Sequence, residues 1–326
     1  MSVGRSMTGL RPRLLCVAAN PSIDRLVEVE RLEIGRIHRP DLVRSVAGGK
    51  GLNVARAAAR LGADVTAGAL LAGHAGRWIA ADLERHGIAG RFAWGPGETR
   101  TCVSVRARAD RSLTEFYEPG DPISAGAWAA FEATVLAALE ARPDVMTLSG
   151  SLPVGASEDG YARLAAAARD ADVMVFLDVH GASLRLALAE RPGLAKVNTV
   201  EAADLTGLPV TDEAETVAAA RAIRELGATV AIVTMGAAGA IADLDDGLPL
   251  RLREPPTIGA YPVGSGDSFL AGLAVAYAGP SSWLDALRLA AAAATANALI
   301  PGAGELDATV ARALAAKIGI ERIPTA

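Results

Sequence analysis

Residues 145–177 read VMTLSGSLPVGASEDGYARLAAAARDADVMVFL, and this stretch decides the fold class. Residues 145–148 and 173–177 are short apolar runs of strand length. Between them, 158–169 repeats apolar residues at the spacing of a helix. A strand, a helical crossover and a second strand build a parallel sheet, because parallel neighbours cannot be joined by a tight turn. The pattern extends in both directions. Towards the N-terminus lie a buried strand at 13–19, a helix at 52–61, a strand at 65–71 and helices at 75–86 and 125–141. Towards the C-terminus come helices at 183–189 and 213–226, a strand at 229–234, and helices at 268–277, 283–299 and 307–316. The fold expected is α/β, a mainly parallel sheet with helices on both faces.

Two segment pairs break the rhythm. Residues 25–29 with 37–46, and 101–109 with 113–117, alternate as half-exposed strands do. Together they predict a small accessory sheet. Ligands of such folds bind at the carboxyl ends of the parallel strands, so a sheet projecting there would act as a lid. No internal repeat or linker divides the chain, and 1–326 is read as a single domain with lid strands from about 25–46 and 101–117.

Composition narrows the function. The 326 residues are 51% hydrophobic and 21% charged, with no apolar run long enough to span a bilayer, so no membrane partner is expected. The alanine-rich run 289–300 is too short and reads as a buried helix. Residues 1–10 lack the apolar segment of a signal peptide and read as a loose leader. Two cysteines, Cys16 and Cys102, and four scattered histidines suggest neither a disulfide framework nor a zinc site, and a cytoplasmic location is expected. A net charge of −5 without a basic run argues against nucleic acid as a partner. Lysine stands only at Lys50, Lys196 and Lys317, against arginine at every other basic position. That scarcity ranks the lysines as places where a compact ammonium is needed.

Tyr261-Pro262-Val263-Gly264-Ser265-Gly266-Asp267-Ser268 is a glycine turn opening an apolar helix. Such a turn aims free N–H groups and the positive end of the helix dipole at an anion. Asp267 would sit at the helix start, where a carboxylate stays ionised; capping of the helix by Asp267 or Ser268 is the simpler alternative. A dinucleotide fingerprint fails here because Phe269 stands where its last glycine belongs. A Walker A loop ending at Lys50 fails because Gly51 stands where Ser or Thr is required. Gly48-Gly49-Lys50-Gly51-Leu52-Asn53 is a second glycine loop, suited to a polyhydroxylated or phosphorylated ligand or simply a surface loop. Asp24 could accept hydroxyl hydrogen bonds or serve as a turn residue.

Taken in order, these landmarks resemble the pfkB/ribokinase family of carbohydrate kinases, and most its 1-phosphofructokinase and tagatose-6-phosphate kinase branch. The matches are 20–24 (Asn-Pro-Ser-Ile-Asp), 47–53, Gly97-Glu98-Thr99-Arg100, Glu118-Pro119-Gly120, 148–153, Asn198-Thr199-Val200-Glu201, Thr234-Met235-Gly236 and 264–267. The resemblance implies a ribokinase-like three-layer sandwich with a β-sheet lid, and ATP and Mg2+ as cofactors. Asp267 would be the catalytic base, with Gly264, Ser265 and Gly266 the anion hole. Asp24, Gly49, Lys50, Asn53 and Arg100 would bind the sugar, Arg100 through its phosphate. Lys196, Asn198, Glu201, Thr234 and Gly236 would contact the nucleotide, with Asn198 and Glu201 reaching magnesium through water. It also implies phosphorylation of fructose 1-phosphate to fructose 1,6-bisphosphate, and a homodimer through the lid. A kinase of an unphosphorylated sugar or nucleoside, and a silent sugar-binding regulator, are the alternatives. The chain departs from the branch at Val197, at 262–267 (Pro-Val-Gly-Ser-Gly-Asp), and at Ser104, where the branch places a lysine.

Overall fold

A computed structural model describes residues 11–244, 247–253 and 259–324. The chain begins with β1 (Arg13–Ala18), then β2 (Ser22–Val29), β3 (Leu42–Gly48), α1 (Lys50–Arg60), β4 (Asp64–Ala72), α2 (Gly73–Arg85) and β5 (Ala89–Gly95). It continues through β6 (Thr101–Ala107), β7 (Leu113–Tyr117), α3 (Ala125–Leu139), β8 (Val145–Ser149), α4 (Gly160–Asp170) and β9 (Met174–Asp178). Next are α5 (Gly181–Leu188), β10 (Leu194–Asn198), α6 (Thr199–Thr206), α7 (Glu213–Glu225) and β11 (Val230–Thr234). Then follow β12 (Ala240–Asp243), β13 (Leu250–Arg253), α8 (Ser265–Ala278), α9 (Trp283–Ala298), α10 (Ala308–Ala315) and β14 (Gly319–Arg322).

Ten strands form one sheet in the order β14-β13-β12-β11-β10-β9-β8-β1-β4-β5. From β11 to β5 every pairing is parallel, while β12, β13 and β14 run antiparallel at one edge. Strand alternation divides the interior into two cores. Leu14, Cys16 and Ala18 of β1 pack with Leu52, Ile79, Phe269 and Leu287 on one face. Leu15, Val17 and Ala19 pack with Phe131, Tyr161, Leu184 and Ile223 on the other. Successive side chains of a strand point to opposite faces, so helices on both faces enclose the sheet in three layers. This is the ribokinase-like architecture expected. No helix of the described residues is long and apolar enough to cross a membrane.

The remaining four strands form a second sheet, β3-β2-β6-β7, with β2 parallel to β6 and antiparallel to β3. Cross-strand register puts Leu26, Arg44, Ser104 and Glu115 in one row and Val27, Val43, Val105 and Thr114 in the next, on opposite faces. This is the accessory sheet expected from the two irregular pairs. Its first hairpin differs in detail, since 37–41 is not strand. Pro40 has no N–H to give a ladder, and β3 starts beyond it at Leu42.

Three regions were not foreseen. The strand β5 carries two glycines and an exposed tryptophan, so its pattern is weak. Lys196 interrupts the apolar run of β10, which hid both that strand and α6 behind it. The antiparallel edge β12–β14 is built from four-residue strands, too short for a periodicity argument. Residues 1–10, read as a leader, lie outside the described residues.

Candidate active site

The carboxyl ends of β1, β8, β9, β10 and β11 converge where α1 and α8 begin. Asp24 enters this place from the lid strand β2. Its carboxylate accepts hydrogen bonds from the Ser22 hydroxyl (2.6 Å) and the Gly49 N–H (3.1 Å). Gly48 is glycine because Asp24 occupies the space: a Cβ there would meet the Asp24 Cγ at 2.0 Å. The first turn of α1 then supplies Asn53. Its amide nitrogen donates to Asp24 Oδ2 (3.4 Å) and to Asp267 Oδ2 (2.9 Å), bridging two carboxylates that lie far apart in sequence. Buried Arg56 donates to the Asn53 amide oxygen (3.4 Å) and to the Ala303 carbonyl (2.5 Å), which orients that amide.

Asp267 lies in the first turn of α8 and is 6% exposed. The helix starts from Gly264, whose φ of 83° is left-handed, and no side chain caps it. The capping alternative for Asp267 and Ser268 therefore fails. Asp267 is ionised at neutral pH, as expected, but holds its proton to a higher pH than an ordinary carboxyl. Burial first, then the charge of Asp178, raises its pKa to about 6, against the pull of Lys50, Asn53 and Lys196.

Asp178, at the end of β9, went unnoticed in the sequence. It is 1% exposed and receives both Lys50 Nζ and Lys196 Nζ at 2.9 Å. Burial works to raise its pKa, but the ammonium groups of Lys196 and Lys50 outweigh it and hold the carboxyl below its ordinary range. The available signal was an apolar strand ending in aspartate, Met174-Val175-Phe176-Leu177-Asp178, at the carboxyl edge of a parallel sheet. Two of the three lysines thus meet at one carboxylate. Lys50 is the first residue of α1 rather than part of a free loop, and it also lies 3.5 Å from Glu201. Burial opposes its charge, yet Asp178, Glu201 and Asp267 together raise its pKa. Lys196 is 4% exposed, and a Cβ built on Gly266 would stand 3.5 Å from its Nζ. Its ammonium therefore faces the glycine turn at 264–266.

Beyond Lys196, Asn198 and Glu201 form a reciprocal capping box at the start of α6. The Glu201 N–H donates to Asn198 Oδ1 and the Asn198 N–H to Glu201 Oε2, each at 2.9 Å. Thr234 stands opposite Asn198 at the end of β11, and Gly236 opens an exposed turn with φ of 58°. Among the described residues no group of three or more His, Cys, Asp or Glu is arranged as a metal cage. The donors present suit a magnesium ion that keeps its waters and arrives with phosphates, since such ions take only one or two carboxylates from protein.

Arg100 borders Asp24 on the lid side. Its guanidinium donates to the carbonyls of Asn20 and Glu118, both at 3.1 Å, while its buried Nε has no partner among the described residues. Ser104 donates to Glu115 (3.2 Å) and lines a cleft with Asp24, Arg44, Arg106 and Tyr261. Arg106 pairs with Glu28 at 2.6 Å and stacks 5.0 Å from the Tyr261 ring centroid, so the lid rests directly on the segment leading to the glycine turn.

The profile of the pfkB family carbohydrate kinases matches residues 13–309. The chain belongs to that family. It is a 1-phosphofructokinase-like carbohydrate kinase. Over 267 residues it is 37% identical to the 1-phosphofructokinase of Xanthomonas campestris pv. campestris, covering 80% of this chain and 83% of that protein. The 1-phosphofructokinase of Rhodobacter capsulatus is 34% identical over 262 residues, 80% of this chain and 82% of that protein. Phosphofructokinase-2 from Escherichia coli, solved in complex with substrates and products, superposes with a TM-score of 0.84 at 25% identity, over 94% of this chain and 99% of that one.

Proposed function

We propose that this pfkB kinase transfers the γ-phosphoryl group of ATP to the free primary hydroxyl of fructose 1-phosphate, giving fructose 1,6-bisphosphate and ADP. The observation that carries it is the junction at Asp267. A buried carboxylate with a raised pKa lies beside a glycine turn, and two lysines share one further carboxylate next to it. Asp24 and Asn53 hold the sugar hydroxyls. Asp267 accepts the proton of the attacking hydroxyl as its oxygen bonds to the γ-phosphorus. The bond from that phosphorus to the β,γ-bridging oxygen breaks, and the electron pair leaves with ADP. Positioning and charge stabilisation supply most of the rate in such transfers. The N–H groups of Gly264 and Gly266 and the Lys196 ammonium face the transferring group, while the Ser265 N–H is held by the Pro262 carbonyl (3.1 Å). Asn198, Glu201, Thr234 and Gly236 line the nucleotide side, where a magnesium ion bound with ATP would offset phosphate charge.

The phosphate of the sugar belongs at Arg100, whose buried Nε has an unused N–H. The second cation that the missing lysine at Ser104 calls for is Lys50 or Arg44. Lys50 pairs with Asp178 and Glu201, and Arg44, in the same cross-strand row as Ser104, pairs with Glu305 at 3.2 Å. The test is ADP release with fructose 1-phosphate and with plain fructose, in wild type and in Arg100→Ala. Losing a charge-assisted bond costs about 1.5–3 kcal/mol, so affinity for the phosphorylated sugar should fall roughly 10- to 150-fold with ATP affinity unchanged. Preference of wild type for plain fructose, with a neutral Arg100→Ala, would instead favour a kinase of unphosphorylated sugars.

The outward face of the lid sheet, with Val27, Val43, Val103, Val105 and Phe116, is the surface through which we propose a second copy of the chain binds.

A further inference from the structure

The alanine-rich helix α9 carries one side chain that does not fit its composition. Asn297, in its last turn, is 0% exposed. A buried amide costs stability unless its donors and acceptor lone pairs are matched, and here they are. The amide nitrogen faces the Val263 carbonyl (2.9 Å), the Ser265 hydroxyl (3.3 Å) and the Tyr261 carbonyl (3.4 Å). The amide oxygen accepts from the Gly304 N–H (2.8 Å) and the Ser268 hydroxyl (3.2 Å). The orientation is unambiguous, since a backbone N–H can only donate and backbone carbonyls can only accept.

These partners belong to the two strips of backbone around the glycine turn. Tyr261, Val263 and Ser265 lead into and through it, and Ser268 follows in the first turn of α8. Gly304 presses on it from the other side: a Cβ on Gly264 would meet the Gly304 nitrogen at 2.6 Å. Gly304 in turn leaves no room beside Asn53, where its own Cβ would meet the Asn53 carbonyl at 2.4 Å. One amide therefore ties the turn at 264–266 to the loop at 302–304, and through it to the helix that carries Asn53.

We infer that Asn297 is a positioning residue for phosphoryl transfer, which sets the direction of the backbone N–H groups of Gly264 and Gly266 without touching substrate. The inference rests on the reading of that turn as the anion hole. A preorganised donor contributes in the transition state, where charge develops on the transferring group, so misplacing it lowers kcat more than binding. A purely structural amide would lower the melting temperature and leave kcat of the folded enzyme alone.

The experiment compares Asn297→Ala and the milder Asn297→Ser with wild type, Thr295→Ala and Asp267→Asn. Thr295 is buried on the same helix, and among the described residues its hydroxyl bonds only the Ala291 carbonyl of that helix, so Thr295→Ala reports the cost of a buried polar deletion alone. Misplacing a catalytic group typically costs about 10²-fold. Asn297→Ala should therefore lose roughly 10- to 100-fold in kcat, with KM for ATP and for the sugar phosphate within about twofold of wild type. Its affinity for ADP with aluminium fluoride, a mimic of the transferring phosphoryl, should fall by a similar factor while affinity for ADP alone holds. Asn297→Ser should show the same split at smaller size, and it decides the matter if the alanine variant does not fold. Normal kcat in the folded Asn297 variants, alongside an inactive Asp267→Asn, overturns the positioning role and leaves the site reading standing. Normal turnover in Asp267→Asn overturns the site reading itself.

Discussion

At the scale of residues, the site is an arrangement of carboxylates held apart in protonation. Asp178 is surrounded by two ammonium groups and stays ionised. Asp267 receives no such pair and titrates from 3.8 up to about 6 through burial and the neighbouring Asp178 charge. The sign of the consequence is definite. Between those two values the folded chain holds a proton that the unfolded chain has released, so stability falls as pH rises through the window and remains lower above it. Ionised Asp267 thus costs the fold on the order of 3 kcal/mol at neutral pH. Asp267→Asn removes that cost while removing the proposed proton acceptor. It should melt at a higher temperature than wild type at pH 7 to 8, lose the difference near pH 4, and fall about 10²- to 10⁴-fold in kcat. In wild type, kcat should decline as pH drops through about 6 and Asp267 becomes protonated. A variant that is both inactive and less stable at neutral pH would show that Asp267 is held by attraction rather than kept against its desolvation.

At the scale of elements, the same features that made the chemistry legible made some of the fold hard to read. The glycine turn at 264–266 and the loop at 48–53 stand out in sequence because tight backbone approach demands glycine at both. Asp178 and Lys196 were harder to see as a pair because their meeting depends on which strands lie side by side. That adjacency of β9 and β10 is a property of the sheet order and leaves no local pattern. The strand β10 was hidden by Lys196 itself, a charge inside an otherwise buried run. Asn297 was absorbed into an alanine helix for the opposite reason, one polar residue being too little to alter the periodicity. The helix α6 raises a sharper ambiguity, since its N-x-x-E pair caps the helix and is also the pair proposed to face the nucleotide. Glu201→Gln keeps an oxygen for the Asn198 N–H and drops the charge. It should raise the magnesium concentration for half-maximal rate and leave the melting temperature nearly unchanged. Glu201→Ala should do both harms, losing the box as well. If Gln leaves the magnesium dependence unmoved and Ala only lowers stability, Glu201 is a cap and nothing more.

At the scale of the whole molecule, the lid sheet has two faces of opposite character, and each has its own consequence. The inward face carries Asp24, Arg44, Ser104 and Arg106, and it docks on Tyr261, whose hydroxyl donates to Glu28 at 3.2 Å. The outward face carries Val43 and Phe116, 44% and 59% exposed, beside half-buried Val27, Val103 and Val105. In register Val27 lies between Val43 and Val105, and Val103 lies opposite Phe116, so these side chains form adjoining rows rather than scattered points. The outward face also carries exposed Arg25, paired in register with Val103 and Ser45, and Thr114. Covering its valine and phenylalanine rows would still bury apolar surface, and exposed apolar patches are where interactions form. The partner proposed above is a second copy of the same sheet, which would give an isologous contact. Charges placed in that contact would be buried without partners, which costs several kcal/mol and should dissociate it. The double variant Val43→Lys, Phe116→Lys should therefore run as a monomer in light scattering at concentrations where wild type is a dimer. Both side chains point away from the cleft, so the isolated subunit should keep ATP binding. Its sugar-phosphate KM should rise, since the lid that bears Asp24 and Arg44 loses its support. A wild type that is monomeric at micromolar concentration, or a double variant that stays dimeric, would assign the outward face to something other than self-association.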